Sequence, residues 1–370
     1  MTPDHVDEHA NLTAALVNGA VFDDRFRQML EVGRRPLADI LEECATTLIF
    51  SREHEHAVGV MTSEAGALNV SYLSLPHPSG IAVLADRVLV LSTRTPHLLV
   101  EMEFLSEPGG GGAPTYLIPR FLRVLPGAYY GHEMLAREGR VVFNATGLNE
   151  IYSLPLDLRG APSLEYRPAF IHGRRDNCMQ LNSLAYDREG VGYSTCFSAV
   201  DSDYRPWKDE YGPLGRGALI RHIDSVSIVN GLTCPHSVRS VRDELLFCNS
   251  GFGELNRVPS TGGPSAVIST LPGFTRGLAL SGDYAFVGLS RVQADRRHYA
   301  PGISPEDSLC GIAAVDLRSG ETLSTLWWPH GRQIFDIQLT PSHKHANLQF
   351  PQSRLTANDP PSDPFFRAWE

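Results

Sequence analysis

From Thr46 onward, apolar and polar residues alternate in short bursts. The runs TTLIFS (46–51), HAVGVMT (56–62), LNVSYLSL (68–75), RVLVLST (87–93), HLLVEMEF (97–104), RVVFNA (140–145), EIYSLPL (150–156) and YAFVGLS (284–290) are six to eight residues long. They are rich in Val, Ile, Leu, Phe and Tyr and are bounded by Gly, Pro, Asp or Ser, the pattern of half-buried strands. No long helical stretch separates them, which excludes a doubly wound parallel sheet and leaves a sandwich, barrel or propeller. Residues 1–45 differ. Residues 12–32 and 37–45 carry apolar side chains at helical spacing, with Pro36 suited to a first turn. They predict a helical N-terminal extension.

An internal repeat selects among the all-β folds. Six segments begin with a polar residue and pass through an apolar alternation into a turn: those starting at His77, His132, Asn182, His236, Arg276 and Gln333. Their separations of 55, 50, 54, 40 and 57 residues suit four-stranded propeller blades. The last segment lacks outer strands, and three strands precede the first. Joining them closes the ring with one shared blade and removes an open sheet edge. The expectation is an all-β, six-bladed β-propeller over residues 46–342, with seven blades as the alternative. Residues 1–45 form the extension and 343–370 an extended tail.

A net charge of −10 over 370 residues disfavours a phosphate-backbone partner, so no nucleic acid is expected. It also disfavours an anionic membrane surface. No secretory signal and no uninterrupted apolar run are visible, so the expectation is a cytoplasmic chain without membrane contact. Six scattered cysteines without a CxxC pair read as buried free thiols. Gly109 to Gly112 lack the setting of a phosphate loop and read as a flexible connection.

In a propeller the innermost strands line the channel, so the six leading residues should form one ring at its mouth. The ends of the second strands return to that face, placing Arg52, Arg94, Asn144, Asn249 and Arg291 one layer out. His77, His132 and His236 could then hold a divalent transition metal (Zn, Fe, Cu or Mn). Glu133 and Asp336 could fix their tautomers. Asn182 and Gln333 would orient substrate or water, and Arg276, helped by Arg94 or Arg291, would clamp an anionic group. A metal-free site would use His132 or His236 as base. The insertion 198–217, with Tyr204, Trp207 and Tyr211, could fold over the mouth. The functional expectation is a metal-dependent enzyme acting on a small anionic metabolite, with hydrolase, lyase/isomerase or oxygenase chemistry open. The alternatives are a non-catalytic ligand- or protein-binding propeller and a metal-free cyclase or condensing enzyme.

The segments LPHPSG, YYGHEML, LNSLAY, CPHSVR, CNSGFGE, FTRGLAL, YAFVGLSRV, SLCGIAAVDLRSG and GRQIFDIQ occur in an order that resembles a bacterial propeller family with a domain of unknown function. The resemblance spans about residues 46–340 and implies the fold without a reaction. The architecture is also similar to gluconolactonase-like and strictosidine-synthase-like propellers. The chain departs from the former in lacking acidic metal ligands at the ring positions.

Overall fold

The strand runs pair with their sequence neighbours through tight turns. Ala65-Gly66 and Glu138-Gly139 each place two consecutive residues at positive φ, as a two-residue hairpin loop requires. In the computed structural model, which describes residues 22–94, 97–106, 115–173, 177–208, 212–341 and 346–348, the strands form six sheets of four or five strands. These are the blades of a six-bladed β-propeller. The innermost strands are Pro78–Val83, Gly131–Arg137, Ala185–Tyr186, Pro235–Val241, Phe274–Ser281 and Asp336–Pro341. Counted from Pro78, they open blades one to six.

The sixth blade joins both ends of the chain as the repeat predicts. Asp336–Pro341 pairs antiparallel with Thr46–Arg52, and Ala57–Glu64 and Ala67–Ser74 complete the sheet. Neighbouring blades pack through wedges of apolar side chains. Ala82, Leu89, Leu91 and Leu99 of the first meet Val141, Phe143 and Leu154 of the second. Each such fully buried side chain stabilises by about 1.5–3 kcal/mol.

The described part of the extension, from Phe22 onward, departs from the helical pair its spacing suggests. Residues 12–21 lie outside the described residues. Asp24–Arg27 is one helical turn, and Leu30–Gly33 is a strand on the outer edge of the fifth blade, Leu30 facing Trp327. Glu31 explains the strand: its Oε1 accepts from the Ser324 hydroxyl and the Leu37 N–H. Leu37–Glu43 is helical as expected and buries Leu37, Ile40 and Leu41 on the closing blade. Beyond Pro341, Ala346–Asn347 runs parallel to Thr115–Tyr116, and Leu348 is buried. Gly109 to Gly112 and residues 349–370 lie outside the described residues.

Side chains from the inner strands stitch blade to blade. Glu133 Oε2 accepts from Leu184 N–H, Ser183 Oγ from Val238 N–H, Ser237 Oγ from Gly277 N–H, and Asp336 Oδ2 from Ile81 N–H. Each bond runs from one blade to the backbone of the next, forming a belt below the mouth. Cys178, Cys196, Cys234, Cys248 and Cys310 are buried, Cys44 half-buried, and all six are free thiols. Among the described residues no helix is long and apolar enough to cross a membrane.

Candidate functional site

At the mouth of the funnel lies a cavity of about 720 Å³. Of the eleven ring and second-strand residues singled out above, His236, Arg276, Gln333, Arg94 and Arg291 line it. The others stand back from it, each for a visible reason.

His236 sits on the inner strand Pro235–Val241. Its Nδ1 lies 2.9 Å from the Cys234 carbonyl and 2.9 Å from Ser250 Oγ. With Nδ1–H donated to the carbonyl, Nε2 is the unprotonated nitrogen. Phe197 and Phe274 meet the ring edge-on, with centroids 5.3 and 5.4 Å away. Burial, reinforced by Arg276 and His132, holds this imidazole well below its usual pKa. It is neutral at any physiological pH.

Arg276 lies over the Phe335 ring, 3.3 Å from its centroid, and its Nη2 is buried without a hydrogen-bond partner. Burial lowers its pKa to about 10, so it stays cationic. Gln333 Oε1 is likewise buried and unpartnered. An unpartnered donor and an unpartnered acceptor on one cavity wall are polar groups the fold leaves without protein partners.

His132 is one step behind the wall. Its Nδ1 is 2.9 Å from the Tyr130 carbonyl, and its Nε2 accepts at 3.1 Å from Gln180, which lines the cavity. Burial and then Arg276 push its pKa down to about 3. His77 belongs to a different group. Its Nδ1 is 2.9 Å from Glu53 Oε1, and the same oxygen takes Arg94 Nε at 2.9 Å. Burial would raise the Glu53 pKa, yet the His77 hydrogen bond and Arg94 hold it far below the carboxylate range. The three imidazoles thus have three separate settings. Among the described residues no three His, Cys, Asp or Glu side chains are placed to hold one metal ion. The donor set expected for Zn, Fe, Cu or Mn is not assembled from His77, His132 and His236.

Glu133 and Asp336 do not orient histidines. Glu133 forms an ion pair with Arg239 and accepts from Leu184 N–H, and Asp336 accepts from Ile81 and Ile337 N–H. The belt consumes them. The asparagines are also structural. Asn182 donates to the Pro235 carbonyl and accepts from Thr195, Asn249 accepts from Thr233 N–H and donates to Glu254, and Asn144 donates to the Ser183 carbonyl. The carboxylate that does touch a ring histidine is Glu53, from the charged Arg52–His56 segment.

Two insertions complete the cavity. The described part of the third-blade insertion brings Arg205, Trp207 and Lys208 to the wall; Tyr211 lies outside the described residues. The 20-residue connection from Arg291 to Cys310 in the fifth blade adds Arg296, His298 and Tyr299. The sequence reading missed this second insertion, although its length between paired strands was a usable signal. With Arg94, Arg276, Arg291 and Arg332, seven cationic side chains line the cavity, and none of the described lining residues is a carboxylate.

The model of one family, a domain of unknown function (DUF4915), matches residues 35–348. The chain belongs to the DUF4915 family. The match begins before the helix Leu37–Glu43 and ends at Leu348, so it takes in more of both ends than the motifs indicate, and it contains every cavity residue. Among curated protein sequences none matches this one. The fold is similar to a chain of the nidogen/laminin complex, at TM-score 0.54 and 12% identity over 80% of this chain and 99% of that one. It is also similar to virginiamycin B lyase from Staphylococcus aureus (TM-score 0.43, 10% identity, 81% and 99%) and to a streptogramin B lyase (0.41, 11%, 76% and 75%). At these identities the likeness is one of fold.

Proposed function

We propose that this propeller is an enzyme that takes a small anionic metabolite into the funnel, with Arg276 as the anion anchor and His236 Nε2 as the base. The observation that carries the reading is the charge of the wall: seven cationic side chains and no described carboxylate in a chain of net charge −10. Such a sign reversal concentrates anions locally. Arg276 offers a guanidinium held flat by Phe335, a geometry suited to carboxylate or phosphate.

His236 is a weak base because burial, and after it the Arg276 charge, disfavour its protonated form. A bound anion cancels the Arg276 repulsion. At roughly 5 Å and an effective dielectric near 20, one negative charge is worth about 3 kcal/mol, or about two pKa units. Binding would therefore offset the Arg276 part of the depression and raise the basicity of Nε2. The chemistry this supports is proton removal beside an anionic group, on carbon or on water, and it needs no metal.

The test is a panel of carboxylates and phosphates incubated with the protein in D₂O, followed by calorimetry for binding and NMR for exchange or turnover. Arg276→Gln is expected to weaken binding by about tenfold or more. His236→Gln is expected to keep binding and abolish turnover. If no anion binds, or if turnover survives His236→Gln, this reading is wrong.

A further inference from the structure

The cavity has a second cationic focus, separate from Arg276 and supplied by the insertions. Arg205 precedes and Lys208 ends the 3₁₀ turn Pro206–Lys208, which is fixed by Trp207, 2% exposed and packed on Phe197 at 6.1 Å. Arg216 ties the same turn down by donating to the Pro206 carbonyl at 2.8 Å. The fifth-blade insertion is fixed independently, through Gly302 N–H to the Gly251 carbonyl at 3.0 Å and Val292 N–H to Ser308 Oγ at 2.9 Å. The two insertions meet where Gly212 packs against His298. Burial lowers the Lys208 pKa, and Arg205 and Arg296 lower it further, as expected where cations crowd at a rim.

Between this rim and Arg276 the wall is aromatic. The His236 ring meets Phe197, and Phe197 in turn meets Trp207 and Tyr299 at 6.1 and 6.4 Å. Contact along the wall therefore runs from the turn carrying Arg205 and Lys208 through Trp207 and Phe197 to the His236 imidazole, which Arg276 faces electrostatically.

We infer that the ligand carries two anionic groups joined by a flat or apolar middle, one held by Arg276 and the other by Arg205 and Lys208. This rests on the proposed anion-binding role of the funnel and narrows it to a class. A monoanion would satisfy one focus and leave the other hydrated. A dianion gains the second contact intramolecularly, which raises affinity without enlarging the cavity. The aromatic stretch favours a planar spacer, because an aliphatic chain would forgo ring contact.

Calorimetry on the full chain with benzoate, phenyl phosphate and 4-carboxyphenyl phosphate separates the possibilities. The two-headed ligand is expected to bind about tenfold or more tighter than either one-headed ligand. In the double variant Arg205→Ala/Lys208→Ala that advantage over benzoate is expected to shrink to about twofold or less, and Lys208→Arg should retain it. Both residues are exposed, so the fold should tolerate the change. Benzoate binding with no advantage for the two-headed ligand, or an advantage that survives the double variant, overturns the inference and leaves the single-anion reading standing. Absence of binding by all three ligands and by inorganic phosphate overturns both.

Discussion

At the scale of single residues, this protein keeps its imidazoles dry. His222 lies in the third blade, away from the funnel, with its ring stacked on Tyr166 at 4.0 Å and its Nε2 2.8 Å from Ser194 Oγ. Burial alone pushes its pKa down to about 3, as burial does first for His132, to about 3, and for His56, to about 4. In the unfolded chain each would titrate near 6.5, so the unfolded state takes up protons first as pH falls. Stability contributed by these neutral rings is present above pH 6.5 and is lost progressively below it. His222→Gln removes one such group, and its acid loss between pH 6.5 and 4.5 is expected to be shallower than that of the parent by about 2 kcal/mol. Denaturant titrations at the two pH values measure this, and parallel losses would refute it. Residue roles were partly legible beforehand. Arg276, His236 and Gln333 were found because each opens a repeat, and a repeat position fixes which way the chain faces. Glu133 and Asp336 were misread because proximity in sequence to a histidine says nothing about which neighbouring blade their carboxylates reach.

At the scale of elements, strands with buried faces announced themselves, and those with none did not. RVVFNA and YAFVGLS occupy their observed strands, Arg140–Ala145 and Tyr284–Ser290, without adjustment, because both faces of each are buried beyond the first residue. Leu30–Gly33 is exposed along its whole length, and its partner strand lies almost at the other end of the chain. Its pairing is decided by Glu31 and by an available sheet edge, neither of which leaves a local pattern. The extension has consequences for the funnel. Arg52 is buried with its guanidinium between the rings of Phe26 and Trp328, at 4.3 and 5.1 Å, and its Nη2 donates to Glu55 Oε1 at 2.8 Å. Glu55 Oε1 also accepts from Arg332 N–H at 2.6 Å, immediately before Gln333 on the cavity wall. Arg52→Met therefore strands Glu55 without its cation, and a loss of about 3 kcal/mol is expected, the usual cost of breaking a buried pair from one side. Ligand affinity at the funnel should fall with it, since the segment carrying Gln333 loses its tether. A variant as stable and as tightly binding as the parent would show that the stacked guanidinium is incidental.

At the scale of the whole molecule, six blades must be kept in register around a channel that contains charge. The belt does this by aiming side chains at the next blade's backbone, and at Glu133, Arg239 and Asp336 it places two carboxylates around one guanidinium in a dry interior. Burial raises both acids, and Glu133 reaches about 7 even though Arg239 pulls the other way. The balance follows from number: one cation cannot compensate two anions where water does not reach. A carboxyl whose folded pKa lies above its unfolded value holds its proton longer in the native state. It therefore favours folding at low pH, and that contribution is lost as pH rises from about 4.5 to 7. Glu133→Gln imitates the protonated form and should be nearly silent at pH 5. Relative to the parent it should gain on the order of 1–3 kcal/mol by pH 8.5, where the parent must hold the second negative charge. The comparison has to be made between the two proteins at each pH, because the buried histidines tilt both curves alike in the opposite direction. Chemical denaturation at pH 5, 7 and 8.5 provides it. If the gap moves against the variant as pH rises, Glu133 is charged throughout and the belt is an ordinary ion pair. If it moves as expected, the channel stores one proton between its two acids, and the six blades are joined by a neutral rather than an anionic pin.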